Sequence, residues 1–193
     1  MSIRYDQYWL FNDTKGCRKM VKTMHATAMT IKPDIGLTDE SRIGVTGVLK
    51  TVLADEFVFY TKLRNYHWNV TGPEFRSLHK LFEEQYTHLA TVIDETAERI
   101  RSYGEFAPGT LAEFGQFTRL NESPGEFPTA REMVIALLSD HETMIRYLRN
   151  DIKLVGDNFD DVGAEDYLTG LLQAHQEMAW MLRTFIEGEP INP

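Results

Sequence analysis

Five side chains near the middle of the chain have the types and spacing to hold a metal ion: His67, His79, Glu83, Asp94 and Glu98. Cys17 is the single cysteine, which excludes an intrachain disulfide and a thiolate cluster, so metal chemistry must use imidazole and carboxylate. His79 with Glu83 and Asp94 with Glu98 are i, i+4 pairs. On a helix each pair puts two potential ligands on one face, about 5 to 6 Å apart at Cβ. From Glu83 to Asp94 is 11 residues, close to three whole turns, so both pairs point roughly the same way. They cannot meet on that helix, because 11 residues span roughly 16 Å of axis while metal–ligand bonds are about 2 Å. One site using both pairs therefore needs a second copy of the helix running antiparallel, and a twofold dimer builds that arrangement twice. His67, just before a helix break, can swing toward His79. Two histidines and three carboxylates suit ferrous iron with positions left for an oxidant, although zinc, manganese and cobalt also bind such sets. The bland alternative is a helical interaction module whose charged pairs are solvated surface and which takes up no iron.

The elements that must position these groups are helical. Thr38, Asp39 and Glu40 supply a cap and negative charge for a helix over about 38–69, with an apolar stripe at Leu49, Val52 or Leu53, Phe57 and Tyr60. Asn69-Val-Thr-Gly-Pro73 breaks it. A second helix runs to about Gly104 with Leu78, Leu81 or Phe82, Leu89, Val92 or Ile93, Ala97 and Ile100 along one side. Residues 105–128 hold Pro108, Gly109, Gly115, Pro124, Gly125 and Pro128, a long connection with room for one short helix near 110–117. Such a connection suits a crossover between parallel helices of a bundle. Thr129 with Glu132 is a capping box opening a third long helix to Gly156, marked by Val134, Leu138, Ile145, Leu148, Ile152 and Val155. A fourth, about 162–187, carries Leu168, Leu171 or Leu172, Ala179, Leu182 and Ile186. The fold class expected is all-α, a four-helix bundle over 38–188 with an N-terminal extension (1–37) and a short C-terminal tail (189–193).

Composition narrows the function. The 193 residues, 42% hydrophobic and 25% charged, fit one domain, and no apolar run approaches the roughly 20 residues of a membrane span. The N-terminus has neither an apolar signal core nor a small-residue cleavage site, so the cytoplasm is the expected compartment. A net charge of −9 disfavours general DNA binding, which draws its affinity from Lys and Arg at phosphates. Only residues 1–24 are basic, with five cations (Arg4, Lys15, Arg18, Lys19, Lys22) against Asp6 and Asp13, a net of +3. The tail from Glu187 is acidic. DNA binding is therefore expected to be weak or absent. His141 and His175 fall within apolar stripes and read as core residues. If they joined Glu56 inside the bundle they would make an intrachain metal centre, the alternative architecture, although the Glu-x-x-His motif of such centres does not occur in this chain. His88 should face solvent, and His25 carries no assignment.

The stretch Leu63-Arg-Asn-Tyr-His67-Trp68-Asn69-Val-Thr-Gly72-Pro-Glu-Phe75-Arg-Ser-Leu-His79-Lys-Leu-Phe-Glu83, continued by Asp94-Glu-Thr-Ala-Glu98-Arg99-Ile, resembles the signature of the Dps family of mini-ferritins. The resemblance spans about 38–187. It implies a ferritin-like four-helix bundle assembled as a twelve-subunit hollow shell with ferroxidase sites at twofold interfaces. It implies further that His67, His79 and Glu83 come from one subunit and Asp94 and Glu98 from its partner, and that ferrous iron is oxidised by hydrogen peroxide or oxygen and stored as ferric mineral. Position 83 departs from the family, which usually has Asp there. Trp68 matches a tryptophan kept beside the centre, where it intercepts radicals; a structural alternative is a bulky anchor for the turn. The acidic start of the last helix matches the family's threefold iron-entry pore best at Asp161 and Asp166, with Asp157 and Glu165 as weaker matches. A shell that shields DNA without much ferroxidase activity is the competing reading within the family.

Overall fold

A computed structural model describes residues 31–187; the basic arm and the tail beyond Glu187 lie outside the described residues. Those described contain five helices and no strand: α1 (Asp39–Asn69), α2 (Phe75–Ser102), α3 (Leu111–Phe117), α4 (Ala130–Phe159) and α5 (Val162–Thr184). The capping chemistry appears where the residue types put it. Thr38 accepts from the Ser41 amide, and Thr110 with Glu113 and Thr129 with Glu132 close complete capping boxes. Between α1 and α2 the chain turns through Gly72, whose φ of +107° is open to glycine and strained for other residues. The expected stop at Gly156 is not observed. α4 continues to Phe159 and ends at Asp160 in the left-handed region, φ 51°. Gly156 serves contact instead: the Glu165 carboxylate lies over its α-carbon, where a Cβ would collide with it.

The helices form two antiparallel hairpins, α1–α2 and α4–α5, joined by the crossover that contains α3. Residue pairs such as Lys62–Asp140 and Asp55–Asp151 through Arg119 make α1 antiparallel to α4, so α2 and α4 are parallel and the long connection is required. The crossover is pinned rather than merely draped. The Arg119 guanidinium reaches Asp55 on α1 at 2.8 Å and Asp151 on α4 at 3.0 and 2.8 Å, and lies over the Tyr147 ring. Thr118 and the Arg119 amide also donate to the fully buried Asp55.

Apolar packing falls into two clusters along the bundle. One gathers Phe59, Leu63, Leu78, Phe82, Leu89, Leu137 and Leu182; the other gathers Val45, Leu49, Leu53, Ile100, Leu148, Val155 and Leu168. The buried stripe of α2 leaves its opposite side free to carry polar groups.

Candidate metal centre

The end of α1 and the start of α2 bring His67 and His79 together. Their rings stack with centroids 3.7 Å apart and an interplanar angle of 21°. Each imidazole is tied to the other residue's backbone: His67 Nδ1 lies 2.8 Å from the His79 carbonyl, and His79 Nδ1 lies 2.9 Å from the His67 carbonyl. A carbonyl oxygen can only accept, so both Nδ1 atoms carry hydrogen, and Nε2 is the nitrogen each ring can offer as a lone-pair donor. Histidines prepared for a metal ion are usually held this way, with one nitrogen spent on orientation and the other left for coordination. His67 is buried and His79 half-buried. Tyr86 meets His67 edge-on at 5.2 Å and Phe75 packs on His79 at 4.9 Å, so the rings are braced from both sides.

Glu83 stands one turn beyond His79, half-exposed. Lys80 bonds it at 3.1 Å and, by that hydrogen bond and its charge, holds the carboxyl below its ordinary value; the two imidazoles add a smaller effect. Asp94 and Glu98 are both exposed. At 100° per residue, Glu83, Asp94 and Glu98 fall on the side of α2 away from Leu78, Phe82, Leu89, Val92 and Ile100, and His79 lies on the flank between the two. Among the described residues of one chain, no three His, Cys, Asp or Glu side chains converge closely enough to hold a metal ion.

Trp68 is 64% exposed, so it does not anchor the turn within its own subunit. Arg64 lies 5.0 Å over its ring and also faces Tyr60 and Tyr86, bonding the Tyr60 hydroxyl at 2.6 Å. Tyr86 and Arg64 were not singled out by residue type, since neither is a ligand. The usable signal was spacing: Tyr86 follows His79 by two turns. His88 is exposed, as expected.

At the start of α5 the two acidic residues part company. Asp161 is buried and caps the helix, accepting from the Gly163 and Ala164 amides at 3.0 and 3.1 Å, while its other oxygen accepts from the Tyr103 hydroxyl at 2.5 Å. Burial first, then this carboxylate, pushes the Tyr103 phenol far up. With both oxygens committed, Asp161 is a capping residue within its own subunit. Asp166, a turn later, is exposed, as is Asp157; Glu165 is half-buried against Gly156.

The ferritin-like domain model matches residues 47–189. A DNA protection during starvation protein 2 from Bacillus anthracis is 41% identical over 143 residues, 74% of this chain and 96% of that protein. An uncharacterized low temperature-induced protein of Nostoc sp. is 49% identical over 160 residues, 83% of this chain and 89% of that one. The crystal structure of a Dps protein from Bacillus brevis superposes with a TM-score of 0.73 at 34% identity, covering 78% of this chain and all of that one. The fold and these relatives define a ferritin-like protein. Within that class the chain belongs to the Dps family, the iron-storing mini-ferritins. No described helix is long and apolar enough to cross a membrane.

Proposed function

We propose that this protein is a ferroxidase that oxidises Fe(II) at sites shared by two subunits and stores the ferric product in a hollow, twelve-subunit shell. Each site takes His67, His79 and Glu83 from one subunit and Asp94 and Glu98 from the other. The observation that carries this reading is the reciprocal pair of Nδ1–carbonyl hydrogen bonds, which fixes both imidazoles as Nε2 donors next to an ionised Glu83. Solvated surface histidines would need no such lock. The exposed Asp94 and Glu98, too far along the axis to reach the histidines of their own helix, have the types and the facing that an antiparallel copy of α2 requires.

Ferrous iron is the substrate. The ligands hold it with open positions for the oxidant, and no protein nucleophile takes part. Two ferrous ions give one electron each to a hydrogen peroxide, whose O–O bond breaks to leave two waters once two protons are taken up. Both electrons enter one peroxide, so no hydroxyl radical is released, which protects against oxidative stress. Oxygen is the alternative acceptor in the same place. Zinc or another divalent ion would compete for the same ligands. Trp68, exposed and next to His67, is placed to take up stray oxidising equivalents, and Asp166, with Asp157, is the acidic group left to line an iron entry pore. The cytoplasm is the compartment this chemistry suits.

The test loads metal-free protein anaerobically with Fe(II), adds peroxide, and follows ferric absorbance in wild type and in a His79→Ala, Asp94→Ala double variant. Loss of the fast phase is expected. Equal rates would end the ferroxidase reading.

A further inference from the structure

The most deeply buried polar groups of the bundle play no part in the intersubunit site. Glu56 on α1 and His141 on α4 are 0% exposed, His175 on α5 is 1% and Gln85 on α2 is 2%. They form one chain across all four long helices. His175 Nε2 lies 2.9 Å from Glu56 Oε1, the two imidazoles face each other Nδ1 to Nδ1 at 2.8 Å, and His141 Nε2 faces Gln85 Oε1 at 3.4 Å. The orientation of Gln85 follows from its other contact, since its Nε2 donates to the Met178 carbonyl at 3.3 Å and that oxygen can only accept. The amide oxygen is therefore the end turned to His141, and His141 Nε2 must carry hydrogen.

The chain has three links and each needs one hydrogen. Two neutral imidazoles supply two, and a carboxylate supplies none. With only two hydrogens, either two lone pairs oppose each other at the Nδ1–Nδ1 contact or a bare nitrogen opposes the Glu56 carboxylate. The other Glu56 oxygen, Oε2, is buried without a partner, so no further donor offsets its charge.

We propose that the Glu56–His175–His141 set holds one proton more than two neutral imidazoles and a carboxylate, leaving the chain electrically neutral and linking the α1–α2 hairpin to the α4–α5 hairpin in a pH-dependent way. Burial first, and then the electrostatic effect of His175, hold His141 well below its ordinary value, which makes it the neutral member of the chain. A divalent cation in the same place would leave a net positive charge in an apolar core with two nitrogens as its ligands, a far costlier arrangement. Burial and His175 are the influences that act on His141. Phe59 on α1 packs on both rings, α2 presents Gln85, and the Tyr167 phenol on α5, which feels Glu56, is pushed up to about 12 by burial and stays neutral. Glu95 and Arg99 act on that phenol.

In an unfolded chain the histidines titrate near about pH 6.5, so above that pH folding must capture the extra proton. The stabilisation is greatest around pH 6.5 and is lost as pH rises above it, with a slope of one proton, about tenfold in the folding constant per pH unit; below it the unfolded chain takes a proton on each histidine while His141 stays neutral in the fold, so stability falls again. Glu56→Gln is the informative variant, because the new amide donates to His175 Nε2 and all three links survive without an added proton. Full-length wild type and Glu56→Gln would be unfolded in urea at equal concentration from pH 7 to 9, in chelator, and followed by circular dichroism. The wild-type folding constant should fall relative to the variant by up to about tenfold per pH unit. Parallel pH dependences would overturn the proposal, as would a Glu56→Gln chain that cannot fold. A difference that emerges only when zinc is supplied would also overturn it, by putting a metal ion where the proton is placed. None of these outcomes depends on iron oxidation, so this link and the ferroxidase reading stand or fall separately.

Discussion

At the scale of single residues, the proposed site divides the two nitrogens of His67 and His79 between orientation, through the Nδ1–carbonyl bonds, and coordination, through Nε2. The carbonyls that accept from Nδ1 belong to the backbone and cannot be removed by substitution, so the imidazoles are the groups to vary. His67→Ala and His79→Ala should each weaken Fe(II) binding at least tenfold while leaving the fold intact, since neither ring fills the apolar clusters; anaerobic titration calorimetry would measure it. The ligand candidates could be read from the sequence because coordination depends on residue type and on a helix's fixed rise and rotation. The tautomer could not, because it depends on a carbonyl twelve residues away in the chain.

At the scale of elements, the crossover depends on one cation. Arg119 joins α1 and α4 through Asp55 and Asp151, and burial pushes the Asp55 carboxyl up even with the guanidinium opposing it. Arg119→Met should cost about 3 kcal/mol, the lower end for stripping a buried partner because the guanidinium is partly solvated, and denaturant unfolding would measure it. The capping box at the start of α4 makes a milder prediction. Thr129→Ala should destabilise by about 1 kcal/mol in the same experiment. The amide and hydroxyl of Thr129 hold Glu132 below its ordinary value, so its stabilisation is present above the usual carboxylate range and is lost as pH falls through the lowered value. Wild type and Glu132→Gln should therefore converge in thermal stability at the acid end of a pH series and diverge toward neutrality. Helix starts were legible because a cap is a local bond between residues three apart. α4 runs past Gly156 because that glycine serves close approach to Glu165, a contact between helices that no local pattern announces.

At the scale of the whole molecule, a shared site has a signature that a single-chain site lacks. Chains carrying His79→Ala should be inactive as an assembly, and so should chains carrying Asp94→Ala. Co-refolded in equal amounts, half of the twofold pairs are mixed, and each mixed pair regains one intact site of two, so about a quarter of wild-type peroxide-dependent iron oxidation should return. Mixtures that stay inactive would place the ligands within one subunit. The net charge of −9 carries a second expectation, that duplex DNA is not retarded by submicromolar protein at moderate salt in a mobility-shift assay.

Residue spacing alone determined that a site built from His79, Glu83, Asp94 and Glu98 must lie between subunits, because helical rise separates the pairs whatever surrounds them. It also placed the helix breaks and the long crossover, which follow from proline, glycine and capping residues acting over a few positions. Tertiary structure decided what depends on groups distant in sequence. Asp161, matched to a pore carboxylate by the family resemblance, spends both oxygens on its own cap and on Tyr103. His141 and His175, read as ordinary core histidines, are joined to Glu56 and Gln85 in one hydrogen-bonded chain. Their apolar neighbours predicted burial correctly, but burial does not specify a partner. Only the packing of four helices decides which polar atoms must satisfy one another.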